Sequence, residues 1–304
     1  MPLDPTAQVI LQGLAAAGGP ALQEQTPVEA RAAFAALASM GGEGADVASV
    51  VSREIAGVPC LVVTPQGEAT TRPVMVWIHG GGWVIGSATE SAATARNLAA
   101  LADCVVVSVD YRLAPEHPAP AASDDCSAVV GWLLDNAGEV GGDPARLAVG
   151  GDSAGGHLAA LVALEYGPRI AFQALVYPVT DLTLSHPSMD ENAEGYLLTK
   201  AGMQWFVGHY LQGRLDPASP AVSPLYAPDA TLASAAPAYV ITAEFDPLRD
   251  EGEAYAARLT AAGVRVTAER FDGLIHAFYG MTSIFPQAVA AQQRTADLFR
   301  AALA

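Results

Sequence analysis

A chain of 304 residues can bury one large core, and 51% hydrophobic with 15% charged residues leaves little room for long disordered blocks. The net charge of −17 excludes a nucleic-acid surface and adhesion to anionic membranes, since both need a basic face. Cys60, Cys104 and Cys126 are odd in number and scattered among apolar neighbours, which excludes metal spacing and a disulfide framework and leaves buried thiols.

Up to Gly44 the chain carries helical periodicity, at Val9, Ile10 and Leu14 and again from Ala30 to Leu37, and it closes in MGGEGAD. Residues 1–45 are therefore expected to form cap helices outside the main sheet. No basic stretch leads into an apolar run with a cleavage site, and no segment approaches the roughly 20 apolar residues of a membrane span. The expectation is a cytoplasmic protein without membrane anchoring. Between Val50 and Val63 two short β-like runs flank Ala56-Gly57-Val58, a hairpin pattern. From there the rhythm becomes strand, loop, helix. Strands are expected at 74–78, 104–109, 147–149, 174–177, 238–242 and 266–271, with helices at 88–102, 119–136, 154–166 and 251–262. Short β-branched runs alternating with amphipathic helices predict an α/β fold, a mostly parallel sheet with helices on both faces, built from 46–180 and 237–304.

Residues 181–236 break the rhythm. They hold no strand pattern but many prolines and the large side chains Tyr196, Met203, Trp205, Phe206 and Tyr210. This reads as an insertion capping the C-terminal edge of the sheet. Met203, Phe206 and Tyr210 stand three and four apart, so a helix would place them on one face. With Trp83, Trp205 and the cap residues Leu11 and Leu14, they are expected to line a substrate pocket of limited depth.

Two glycine-rich stretches carry the chemistry. In VMVWIHGGGW, residues 74–83, a buried-strand pattern runs straight into His79 and three glycines, more than a turn requires. In LAVGGDSAGG, residues 147–156, Ser153 occupies Gly-x-Ser-x-Gly between a strand and a helix. A sharp turn there pushes the hydroxyl outward, and the helix N-terminus favours developing negative charge. Attack on a carbonyl creates an oxyanion that needs N–H donors about 3 Å away. Ala154 can supply one. Gly81 and Gly82 can supply the others, because a loop that offers its backbone must keep side chains away. His79 is expected to orient that loop.

A serine needs a base, and the base an orienting acid. Of six histidines, His157 lies one helical turn past Ser153 and reads as packing, His117 sits in a proline-rich loop and reads as a brace, and His186 and His209 fall in the insertion. His276 follows the last strand pattern through Asp272-Gly273-Leu274-Ile275, and can swing over the serine. Asp246 ends the strand at 238–242, stopped by Pro247; Glu244 is the second-choice acid, while Asp250 and Glu251 fit a helix start. The chain order Ser153, Asp246, His276 is that of α/β-hydrolases.

With HGGGW at 79–83, YRLAPEHPAPA at 111–121, GDSAGG at 151–156, DPLRDEG at 246–252 and the His276 segment, the chain resembles the hormone-sensitive lipase-like carboxylesterases, in the branch with Asp before the nucleophile. The motifs span nearly the whole catalytic core in order. The resemblance implies an α/β-hydrolase fold with a helical cap, made from the N-terminal helices and an insertion after the sixth strand. It also implies a small ester as substrate, with no cofactor or metal; amide hydrolysis, which uses the same triad, and self-association stay open. Receptors in that family lose the catalytic histidine, and His276 is present here. Dinucleotide binding fails on spacing, since a loop starting at Gly80 would need glycine where Ile85 stands. A phosphate loop fails for want of Lys-Ser/Thr after GDSAGG.

Overall fold

The structure is a computed structural model describing residues 1–38 and 41–303, without the side chains of residues 36–38. Met40, which opens the MGGEGAD segment, lies outside the described residues, as does the Leu37 side chain. Two helices come first, α1 (Pro5–Ala17) and α2 (Pro27–Ala38). Asp4 caps α1 by accepting from the Thr6 and Ala7 N–H groups, and proline opens each helix, where its missing N–H is no loss.

Eight strands follow: β1 (Ser49–Ile55), β2 (Val58–Thr64), β3 (Arg72–Ile78), β4 (Val105–Val109), β5 (Gly142–Asp152), β6 (Phe172–Val176), β7 (Ala238–Phe245) and β8 (Val266–Ile275). They form one sheet in the order β1-β2-β4-β3-β5-β6-β7-β8. β1 and β2 pair antiparallel around the Ala56-Gly57 turn, β2 pairs antiparallel with β4, and all later pairings are parallel. Parallel strands need crossovers, and α3 (Ala92–Ala102), α4 (Ala121–Asn136), α5 (Ala154–Tyr166), α9 (Arg249–Ala261) and the C-terminal α10 (Pro286–Ala302) clothe the two faces. Between β6 and β7 lie α6 (Pro187–Glu191), α7 (Lys200–Leu211) and α8 (Asp229–Leu232), and no strand.

The period of two divides the core. Val74, Val76, Ile78, Val107 and Val149 point into one layer, where Val129 of α4, Leu158 of α5 and Leu259 of α9 meet them. Met75, Trp77, Val106 and Ala148 point into the other, against Leu98 of α3 and Phe299 of α10. With both faces covered, β3 and β4 read as unbroken apolar runs.

Several elements differ in extent from the sequence expectation, β5 starting at Gly142 and β7 running to Phe245 among them, and three differences matter most. β8 continues through Asp272 to Ile275, with Ile275 opposite Phe245, so His276 follows the strand directly and needs no loop to reach the serine. α3 starts at Ala92, not 88, since residues 83–91 are held in turns by hydrogen bonds such as Val84 and Ile85 N–H to the Gly81 carbonyl. α10 was not anticipated, although its buried Ala288, Ala291, Gln292, Thr295, Ala296 and Phe299 follow helical spacing.

Candidate active site

β5 ends in a sharp turn whose shape is forced by crowding. A Cβ at Gly151 would lie 2.5 Å from the Ile78 carbonyl oxygen, and one at Gly155 would lie 2.0 Å from the same atom. Only hydrogens fit two residues either side of Ser153. Ser153 itself sits at φ +57°, ψ −119°, an uncommon conformation for a residue with a side chain, held by its N–H to the Val176 carbonyl and by α5 starting at once. The hydroxyl is presented beyond the strand ends with 8% of the residue exposed.

His276 joins two elements to that hydroxyl. Its Nε2 lies 3.0 Å from Ser153 Oγ and its Nδ1 2.7 Å from Asp246 Oδ2. Asp246 is fully buried; its other oxygen accepts from the Leu248 N–H at 2.9 Å, which fixes the carboxylate plane. These pairings assign the tautomer: Nδ1–H donates to Asp246 and Nε2 is free to accept from Ser153. The imidazole also packs on the Tyr177 ring at 4.5 Å. Glu244 is engaged elsewhere, accepting from the Gly273 N–H and from the N-terminal amine. Asp250 and Glu251 occupy the first turn of α9, as a helix start would use them. Glu251 does more than that: fully buried, it accepts from the Thr180 and Asp181 N–H groups, and burial pushes its carboxyl well up.

The glycine loop faces this relay. Gly81 and Gly82 adopt φ of +116° and +56°. A Cβ on Gly81 would strike the Ile85 carbonyl oxygen at 2.1 Å, and one on Gly82 the Phe206 ring at 2.2 Å. Among the described residues no protein acceptor takes the N–H of Gly81, Gly82 or Ala154. His79 stacks on Tyr111 at 4.3 Å and lies 2.7 Å from the Gly80 carbonyl through Nδ1, while the Tyr111 hydroxyl donates to the His79 carbonyl. Burial lowers the His79 pKa, so the ring is neutral and Nδ1–H donates.

His157 is likewise internal. Trp83 Nε1–H donates to its Nδ1 at 3.1 Å, and its Nε2–H donates to the Val222 carbonyl at 2.8 Å. Burial lowers its pKa to about 4. His117 is exposed and contributes its N–H to the Leu113 carbonyl at 2.9 Å; the proline-rich loop is also held by Arg31 on Glu116 and by Arg112 on Asp125.

A cavity of about 130 Å³ opens beside the relay. Asp152 and Ala277, the immediate neighbours of Ser153 and His276, line it together with the apolar Ile10, Leu14, Phe34, Leu197 and Met281, whereas Ser153 and His276 themselves do not. Of the anticipated pocket residues only Leu14 lines it. Trp83, Met203, Trp205, Phe206 and Tyr210 do not, and neither does Leu11. Met203, Phe206 and Tyr210 are buried on one face of α7, as their spacing predicts, but that face packs against the core: Tyr210 stacks on Trp83 at 4.3 Å, and Phe206 fills the space over Gly82. Trp205 is half-buried between Phe206 and His209. Ile10 and Phe34 were missed; Ile10 stands four residues before Leu14, and that helical pairing was the available signal.

A family model described as the α/β-hydrolase fold matches residues 75–280. The chain is 42% identical over 252 residues to carboxylesterase NlhH of Mycobacterium tuberculosis, covering 81% of this chain and 79% of that protein. It is 37% identical over 249 residues to the ethyl acetate hydrolase of Pseudomonas putida, covering 79% and 77%. Among solved structures, a mutant of LAE6, an α/β hydrolase enzyme from the metagenome of Lake Arreo in Spain, superposes with a TM-score of 0.94 at 39% identity, covering 98% of each chain.

Proposed function

Since the chain belongs to the hormone-sensitive lipase-like carboxylesterases of the α/β-hydrolase family, and so is a carboxylic-ester hydrolase, we propose that Ser153, His276 and Asp246 are its catalytic triad and that it favours short- to medium-chain esters. The observation that carries the reading is His276 spanning Ser153 at 3.0 Å and Asp246 at 2.7 Å, with Nε2 in the accepting tautomer.

Ser153 Oγ attacks the ester carbonyl carbon as His276 Nε2 takes its proton. Asp246 holds the Nδ1–H and offsets the charge of the imidazolium. The carbonyl oxygen becomes an oxyanion and receives the free N–H groups of Gly81, Gly82 and Ala154, at the N-terminus of α5 where the helix dipole adds to them. Collapse breaks the bond to the alcohol, which leaves with the proton from His276, and the acyl group stays on Ser153. Water then attacks with His276 as base and a second oxyanion forms in the same place; its collapse breaks the bond to Ser153 Oγ, which takes the proton back from His276 as the acid departs. Every proton is accounted for by His276, and no step calls for a cofactor.

The preference for shorter chains rests on the cavity, whose 130 Å³ ends against Ile10, Leu14 and Phe34. Each methylene buried there is worth about 0.8 kcal/mol, so kcat/KM rises with acyl length until the wall is met and then falls. The similarity to an ethyl acetate hydrolase supports the same end of the range. Hydrolysis of nitrophenyl esters from acetyl to palmitoyl tests both parts. The expected result is an optimum at short or medium length and no turnover in Ser153→Ala. A palmitoyl optimum would overturn the chain-length reading and leave the triad, whereas turnover by Ser153→Ala would overturn the triad.

A further inference from the structure

Asp152, immediately before the nucleophile, is a carboxyl in an awkward place. Its Oδ1 accepts the Gly80 N–H at 3.2 Å, and a Cβ on Gly80 would lie only 2.4 Å from its Oδ2, so the side chain presses against the entrance of the glycine loop. It also lines the cavity beside Tyr177 and Ala277. No Lys or Arg pairs with it among the described residues. The groups around it are His276 after β8, Tyr279 one turn further on, Tyr177 after β6 and Tyr111 after β4, with His79 and Glu90 on the same cavity. Of these only the imidazole of His276 and that of His79 can turn positive, and burial keeps His79 neutral.

Desolvation raises the Asp152 carboxyl to about 6, against the opposing pull of His276 and the Gly80 N–H. The linkage has a definite sign. A carboxyl raised in the folded state favours folding most below its unfolded pKa, and that contribution is lost as pH rises through about 6. Near neutrality an ionised Asp152 therefore works against the fold, and an isosteric amide would keep the Gly80 hydrogen bond without that cost. Folding alone does not call for an acid here.

We propose that Asp152 is a positioning residue of the reaction: its carboxylate fixes the entrance of the oxyanion loop through Gly80 and gives His276 a second anionic neighbour when the imidazolium forms. This rests on the serine mechanism proposed above. Asp246 meets the imidazole at Nδ1, on the side away from the substrate. Asp152 acts from the nucleophile's own turn and joins the two halves of the site, the loop after β3 and the elbow after β5. Because only its ionised form acts in this way, its contribution to activity is lost as pH falls through about 6.

Two substitutions separate the roles. Asp152→Asn keeps an acceptor for Gly80 but no charge; Asp152→Leu removes both. In Asp152→Asn, kcat is expected to fall about tenfold, the size of one pKa unit of imidazolium stabilisation, with KM nearly unchanged. The part of the acid limb of kcat/KM that belongs to Asp152, near pH 6, is lost, and the limb becomes less steep. The Tm at pH 8 stays level or rises. Asp152→Leu loses a further factor of ten or more in kcat. Unchanged kcat and limb steepness in Asp152→Asn would overturn the proposal, as would a fall in Tm at pH 8 in step with activity. Stoichiometric labelling of the wild type by a phosphonate ester at Ser153 runs alongside. Failure of that labelling overturns the serine mechanism itself, whereas normal labelling with an indifferent Asp152→Asn overturns only the role of Asp152.

Discussion

Ser153, His276 and Asp246 lie 123 and 30 residues apart in pairs along the chain and meet within 3.0 Å, each at the end of a different strand. Asp246→Asn leaves the geometry but offers an amide where Nδ1–H needs an acceptor, so kcat should fall by about 10⁴, with folding retained. Near-normal turnover would remove Asp246 from the triad. Gly82→Ala tests the oxyanion assignment. Its Cβ would enter the Phe206 ring, displacing the peptide whose N–H is offered to substrate, and loss of such a donor costs about 10²–10³ in kcat. A lowered Tm with kcat intact would make that loop structural. The motifs singled out Ser153, His276, Asp246 and the glycine loop, and the structure brings the three side chains into hydrogen-bond contact. Asp152 and Glu251 were not legible in this way: nothing in the local spacing of GDSAGG or DPLRDEG says which carboxyl is buried or what it meets across the sheet.

At the scale of elements, α2 is fastened to the loops around the site by Arg31. Arg31 donates to the Val84 and Ala114 carbonyls and pairs with both oxygens of Glu116, so one guanidinium ties α2 to the glycine loop and the proline-rich loop together. That pairing lowers the Glu116 carboxyl to about 2, so its contribution is present above the ordinary glutamate range and fades as pH falls toward 2. Helical spacing showed that α7 has one apolar face, but it could not say whether that face meets a pocket or the core. Tyr210 on Trp83 and Phe206 on Gly82 decide for the core. The consequence separates two substitutions. Phe34→Ala should move the acyl-length optimum to longer chains, because it removes a cavity wall. Met203→Ala should lower stability by about 2–5 kcal/mol and leave the optimum in place, because it empties a core position 2% exposed. An optimum that moves with Met203 and not with Phe34 would return the pocket to α7.

For the whole molecule, two covered faces of a parallel sheet were legible as unbroken apolar strands, and a hairpin before them as Ala56-Gly57. The misreadings have different causes: α3 starts late because local turn bonds hold residues 83–91, and β8 continues through Asp272-Gly273 because pairing with β7 overrides a local turn signal. The parallel order of the sheet brings the ends of β3, β5, β7 and β8 to one edge, where Ser153, Asp246 and His276 meet beside the glycine loop. We propose that this edge carries out acyl transfer through Ser153. The most direct test is mass spectrometry of the protein after reaction with a phosphonate ester, with residual activity measured on the same sample. The account predicts one adduct per chain, on Ser153, with activity lost in proportion to labelling and no adduct in Ser153→Ala. An adduct on another residue, or activity surviving full modification of Ser153, would contradict it.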